Sequence, residues 1–158
     1  MTDAQTVSGG CQCGAVRYRA ELPLGHASIC HCRMCQKAFG NLGAPLVSIP
    51  EAQLTWTRGE PATFRSSAIV ARGFCRDCGT PLFMKDDGDP KYDMAIGSLD
   101  NPELARPTEQ VGIESELSWF KSLPTLPRRR TEDYCSPEYL EKLKTLQHPD
   151  HDTETWPA

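Results

Sequence analysis

From Gly14 to Leu22 the chain alternates in character, with Val16, Tyr18 and Ala20 on one side and Arg17, Arg19 and Glu21 on the other. That period of two belongs to a strand buried on one face. Similar short runs follow at 44–49, 53–57, 62–65, 69–74, 81–85, 92–96 and 110–114, separated by Gly, Pro, Asp and Asn. Many short strands with turn residues between them predict an all-β domain. No helical period stands out before residue 130, and no internal repeat suggests a solenoid or propeller. After the run Arg128, Arg129 and Arg130, read as a solvated connector, Ser136 stands as an N-cap and Pro137 as a first helical residue. Tyr139, Leu140, Leu143 and Leu146 then follow at helical spacing, predicting one short C-terminal helix. The polar stretch beyond Gln147, with His148 and His151, reads as a frayed end with no part in chemistry.

A chain of 158 residues suits one domain. Its formal charge of −4 becomes about three units more negative if seven thiolates take up two divalent ions, which argues against nucleic acid as a partner. Met1 to Gly10 lacks the basic start and apolar stretch of a signal peptide, and no apolar run reaches the length of a membrane span. The expectation is a cytoplasmic protein without membrane partners, in a reducing compartment where its eight cysteines remain thiols.

Those cysteines are grouped as C-x-C at Cys11 and Cys13, C-x-C-x-x-C at Cys30, Cys32 and Cys35, and C-x-x-C at Cys75 and Cys78, which is metal spacing. On an extended backbone Cys11 and Cys13 face the same way, as do Cys30 and Cys32, with His31 turned from them. Gly79 after the C-x-x-C suits a tight knuckle. The predicted arrangement is a closed structural site of Cys11, Cys13, Cys75 and Cys78. Cys30, Cys32 and Cys35 form a second site with three protein ligands and an open fourth position, the mark of a catalytic zinc. The competing arrangement joins Cys32 and Cys35 to Cys75 and Cys78 as a zinc ribbon, and strands the other three. Cys135 reads as a free thiol.

Gly10-Cys11-Gln12-Cys13-Gly14 with Val16 and Tyr18, Cys30-His31-Cys32-Arg33-Met34-Cys35 with Gly40, Phe74-Cys75-Arg76-Asp77-Cys78-Gly79-Thr80-Pro81-Leu82 and Gly97-Ser98-Leu99-Asp100-Asn101-Pro102 together resemble the glutathione-dependent formaldehyde-activating enzyme family, also called CENP-V/GFA. The resemblance covers residues 7–127 as a zinc-binding β domain, leaving 128–158 as connector, short helix and flexible tail. It implies a β-tent architecture, two zinc ions on the two cysteine sets above, and condensation of glutathione with formaldehyde, a carbon–sulfur lyase reaction. Gln110 stands where a histidine is frequent, and Glu116 where a basic residue is frequent. An acidic Glu116 near the pocket would disfavour an anionic thiol. A centromere-type role would want a basic extension, which this chain lacks.

The mechanism these residues suggest is thiol chemistry at the three-sulfur site, where a coordinated thiol loses its proton and attacks an aldehyde, or leaves from the adduct. His31, Asp100 and Trp119 are the candidate pocket residues. The reading from another class is a zinc-stabilised binding module without turnover, whose fourth position is closed.

Overall fold

The computed structural model describes residues 5–156. Strands β1 (Thr6–Gly10), β2 (Arg17–Glu21) and β5 (Leu54–Arg58) form a three-stranded antiparallel sheet in that order. A seven-stranded sheet runs β10 (Glu109–Val111), β3 (Ala27–Cys30), β4 (Ala44–Pro50), β9 (Lys91–Ala95), β8 (Pro81–Asp86), β7 (Val70–Phe74), β6 (Ala62–Arg65). Its pairs are antiparallel except β10 on β3. The molecule is therefore mostly β.

The core fills the space between the sheets. Tyr18 and Leu82 are fully buried, with Val7, Ile49, Phe83 and Met94 around them. An aromatic seam crosses from one sheet to the other. Tyr18 meets Trp56 edge-on at 5.8 Å, Trp56 lies 6.0 Å from Phe83, and Phe83 meets Tyr92 at 4.8 Å. Such pairs contribute about 0.5–1.5 kcal/mol each beyond their burial. The Tyr18 hydroxyl, deep in this core, is 2.8 Å from Ser98 Oγ, which satisfies it where water is absent.

Several expected boundaries are corrected. Strands β1 and β3 were not anticipated: Thr6–Gly10 is glycine-rich, and Ala27–Cys30 is four residues long, so neither carries a readable alternation. A helix also precedes residue 130: α1, Arg33–Phe39. Two turns are too short to display a period, and its signals are its ends. Cys32 Sγ accepts the Cys35 N–H, and Gly40 closes it in the left-handed region at φ 56°. Cys11 and Cys13 lie in the turn after β1 and not in a strand, and Cys32 is a helix cap. The predicted C-terminal helix is present as α2 (Pro137–Lys142), with Ser136 Oγ accepting the Tyr139 N–H.

The reading of the end as frayed is overturned. The segment after Gln147 folds back over the turn that carries Cys11 and Cys13. The His148 N–H donates to Gln12 O, and Trp156 Nε1 donates to Cys13 O at 2.7 Å. Asp152 accepts from Arg17 at 2.9 Å and Arg19 at 2.6 Å, and Arg58 donates to the Thr153 carbonyl. A polar composition hid this because the segment docks by ion pairs and hydrogen bonds, with little apolar pattern to read.

His148 is expected to make that docking pH-dependent. Its Nδ1 is 2.7 Å from the Pro149 carbonyl, so Nδ1 carries the proton, leaving Nε2 to accept from Thr153 Oγ1 at 3.0 Å. Burial, then the charges of Arg17 and Arg58, hold its pKa below the ordinary histidine value. A depressed folded-state value means the undocked tail takes up a proton first, so docking is complete above about pH 6.5 and weakens as pH falls below it. Limited proteolysis after Gln147 is expected to accelerate between neutral and mildly acidic pH, and His148→Asn to flatten that dependence. An unchanged profile in the variant would assign the effect to other groups.

Candidate metal centres and the cleft beside them

Two turns build the first cluster. After β1, the Gly14 N–H donates to Cys11 O at 3.0 Å and the Val16 N–H to Cys11 Sγ at 3.2 Å. Between β7 and β8, Gly79 at φ +76° lets its N–H reach Cys75 O at 2.9 Å, which is the knuckle the glycine suggested. Gln12 N–H reaches across to Thr80 Oγ1 at 3.1 Å. The sulfurs of Cys11, Cys13, Cys75 and Cys78 consequently lie within 4.8 Å of one another, Cys11 to Cys13 at 3.5 Å and Cys13 to Cys75 at 3.7 Å. One half comes from the small sheet and the other from the large one.

Burial, with the neighbouring sulfurs, pushes the Cys13 thiol up to about 12 and also raises Cys75. Burial acts upward on Cys78 too, but the Thr80 hydroxyl and nearby backbone N–H groups outweigh it and bring Cys78 down to about 6. Sulfurs this close resist ionising together, which a bound cation would relieve.

The second cluster forms where β3 meets α1. Cys30 ends the strand, Cys32 caps the helix and Cys35 lies on its buried side, with the three sulfurs within 4.8 Å of one another. Gly112 holds the other wall. It sits at φ +66°, and a Cβ there would fall 2.7 Å from the Cys32 nitrogen. Buried Gln36 ties the corner by donating to His31 O at 2.7 Å and Ser115 O at 2.8 Å. Among the described residues no fourth Cys, His, Asp or Glu joins this group. Both clusters can hold a metal ion, and the ribbon that would pair Cys32 and Cys35 with Cys75 and Cys78 is not the arrangement the sulfurs adopt.

Arg72 is the residue the sequence reading missed. It lies on β7, is 6% exposed, and both its terminal nitrogens stand 3.4 Å from Cys35 Sγ, while Nε donates to Ser66 Oγ at 3.2 Å. No carboxylate pairs with it among the described ion pairs. A buried guanidinium needs an anionic or polar partner, and the group this one faces is the Cys35 sulfur. Burial raises Cys35 to about 12 against the opposing pull of Arg72, whereas Cys32 is lowered by hydrogen bonds from the Cys35 N–H and the neighbouring thiols despite its burial.

The three candidate pocket residues separate. His31 is fully buried, with Nε2 2.8 Å from Gln110 Oε1 and its ring edge-on to Phe120 at 4.5 Å, so Gln110 fixes the imidazole and Phe120, not Trp119, packs on it. Trp119 is half exposed. Asp100 is placed at the first cluster, taking two hydrogen bonds from Arg17, at 2.8 and 2.5 Å, and one from Ser8. Asn101 caps the following turn through Glu103 N. Cys135 belongs to neither cluster.

Between α1 and strands β6, β7 and β8 lies a cleft of about 660 Å³, within the size range of small-molecule sites. Arg72 forms part of its wall, so cleft and second cluster share a side chain.

Fold and site together define a mostly β protein with two cysteine clusters able to hold metal ions, one of four sulfurs and one of three. The family model described as glutathione-dependent formaldehyde-activating enzyme matches residues 6–115, and the chain belongs to that family. A Halomonas elongata protein, named provisionally for the same activity, is 27% identical over 143 residues, covering 84% of this chain and 88% of its own. The crystal structure of a Rhodobacter sphaeroides protein superposes with a TM-score of 0.54 at 25% identity, covering 66% of this chain and 99% of the other. No helix among the described residues is long and apolar enough to cross a membrane.

Proposed function

We propose that the protein is a zinc-dependent carbon–sulfur lyase-like enzyme acting on the adduct of a thiol and an aldehyde, with two zinc ions per chain. The observation that carries this reading is the three-donor count at Cys30, Cys32 and Cys35, which leaves one position for a ligand from outside. Donor chemistry supports zinc. A tetrahedral site with Zn–S bonds of about 2.3 Å sets its sulfurs about 3.8 Å apart, close to the 3.5 and 3.7 Å found in the four-sulfur cluster. Cys11, Cys13, Cys75 and Cys78 would hold the structural ion. Cys30, Cys32 and Cys35 would hold the second ion, which when bound would offer an exchangeable position where a substrate thiol loses its proton more readily.

The chain's own residues do the rest. Arg72 offsets the negative charge of the sulfur cluster at Cys35. Gln36, by bridging His31 O and Ser115 O, keeps the loop after β10 against the site. Family membership favours glutathione and formaldehyde as the reacting pair. The repulsion expected from Glu116 remains part of this reading, since its carboxylate stands 3.7 Å from Lys121 Nζ on an exposed side chain, a pair that screens it only weakly. A reducing cytoplasm suits the eight free thiols.

Replacing zinc by cobalt tests the reading. Thiolate-to-cobalt charge-transfer bands are expected to change when glutathione is added, and Cys32→Ser to abolish that response while the β domain stays folded. If no thiol moves the bands, and formaldehyde with glutathione is consumed no faster than in buffer, the non-catalytic binding module is the better description.

A further inference from the structure

The cleft beside the three-sulfur cluster has a composition that glutathione, a polar peptide, does not require. Its walls are largely apolar, with Phe39, Phe64 and Phe74 among them. Phe64 pairs in register with Arg72 across β6 and β7, which puts both on one face of the sheet. Phe64 is 64% exposed and Met34, on the α1 side, 43%. Two large apolar side chains left in water on opposite walls of one cleft mark a surface that a ligand covers.

The charges in the cleft are of one sign. Arg33 and Lys37, one turn apart on α1, line it with Arg72, and no Asp or Glu does. None of the three has a carboxylate partner among the described ion pairs. Arg33 makes only a hydrogen bond to Gln36 Oε1 at 3.2 Å. In a chain of net charge −4, Arg33 and Lys37 without carboxylate partners beside an apolar cleft, with Arg72 turned to Cys35 behind them, are a local inversion of the protein's field, and they select for an anion.

We infer that this cleft binds a small amphiphilic carboxylate, an aryl or branched alkyl body between Phe64 and Met34 with its carboxylate at Arg33 and Lys37. The inference deepens the proposed function and rests on it for its meaning: the substrate carries such a group beside its reacting sulfur or carbonyl, and Arg72 joins the place where it is held to the place where it reacts. Size agrees, because a phenyl-alkyl carboxylate occupies a fraction of the roughly 660 Å³ available and leaves room for the reacting end.

Calorimetric titration of the zinc-replete full chain with 4-phenylbutyrate, and with its neutral amide as control, tests the assignment. The carboxylate is expected to bind saturably and at least about tenfold tighter than the amide. Arg33→Glu with Lys37→Glu should remove that preference, and Phe64→Ala should weaken both probes. These side chains are exposed, so the variants keep the fold. Equal affinity for acid and amide, an unchanged preference in the charge-reversed variant, or no saturable binding would each overturn the inference. Binding by a protein that turns over no thiol–aldehyde adduct leaves the cleft assignment standing and removes the enzyme reading. Turnover without carboxylate binding does the reverse.

Discussion

Cys78→Ser is expected to yield a protein that is unfolded or aggregated, with its near-ultraviolet dichroism lost and its zinc content reduced to at most one ion per chain. Cys78 sits in the turn between β7 and β8 of the large sheet, while Cys11 and Cys13 follow β1 of the small one. The cluster therefore joins two sheets whose other links include the aromatic seam, the bridge between Gly9 and Leu99 and the hydrogen bonds of Ser8 and Arg17 to Asp100. Structural zinc sites in small domains contribute about 10–16 kcal/mol of apparent binding energy, as much as or more than the whole stability of a typical domain, about 5–15 kcal/mol. Serine keeps the size of the side chain and removes the thiolate, so the loss is chemical. Cys135→Ser, outside both clusters, should leave fold and zinc content unchanged. A folded Cys78→Ser protein with two zinc ions would show that the four-sulfur cluster does not hold the sheets together.

Arg72→Gln is expected to weaken the second zinc by about 10- to 100-fold, the usual cost of losing a group that supports a metal ligand, with the first site untouched. Its guanidinium contacts Cys35 Sγ through two nitrogens at 3.4 Å and is itself buried. Three thiolates on one divalent ion would leave a net negative charge, which the buried guanidinium of Arg72 would offset. Arg72→Lys keeps the charge but offers one nitrogen in place of the fork, so it should recover part of the affinity. Chelator competition gives the affinities, and the charge-transfer energies of the cobalt form report the field at Cys35 directly. If both variants hold the second metal as tightly as the parent, with unshifted bands, Arg72 merely fills space.

The two sulfur sets were legible because they are written in local spacing. C-x-C and C-x-x-C keep two sulfurs close together whatever the rest of the chain does, and counting seven clustered cysteines leaves one set of four and one of three. The strands from β4 to β9 were legible for a similar reason, since alternation records which face is buried. The same rule placed Cys11, Cys13, Cys30 and Cys32 on extended backbone. Cys30 does end strand β3; for the other three the structure uses a turn and a helix cap, because hydrogen bonds to sulfur, such as Val16 N–H to Cys11 and Cys35 N–H to Cys32, hold the chain out of a strand.

Sequence by itself thus determined the mostly β class, the two sulfur clusters and their unequal size. Tertiary structure alone decided what surrounds them. Arg72 reaches Cys35 from 37 positions away, and the tail reaches Arg17 from 135; His31 finds Gln110 across 79. A charged side chain reads as solvated until the fold supplies its partner, as it did for Arg17, which sat on the polar side of its strand and is buried against Asp100 and Asp152. Periodicity reports burial by apolar packing. It has no term for a polar group that becomes buried because an opposite charge, distant along the chain, arrives beside it.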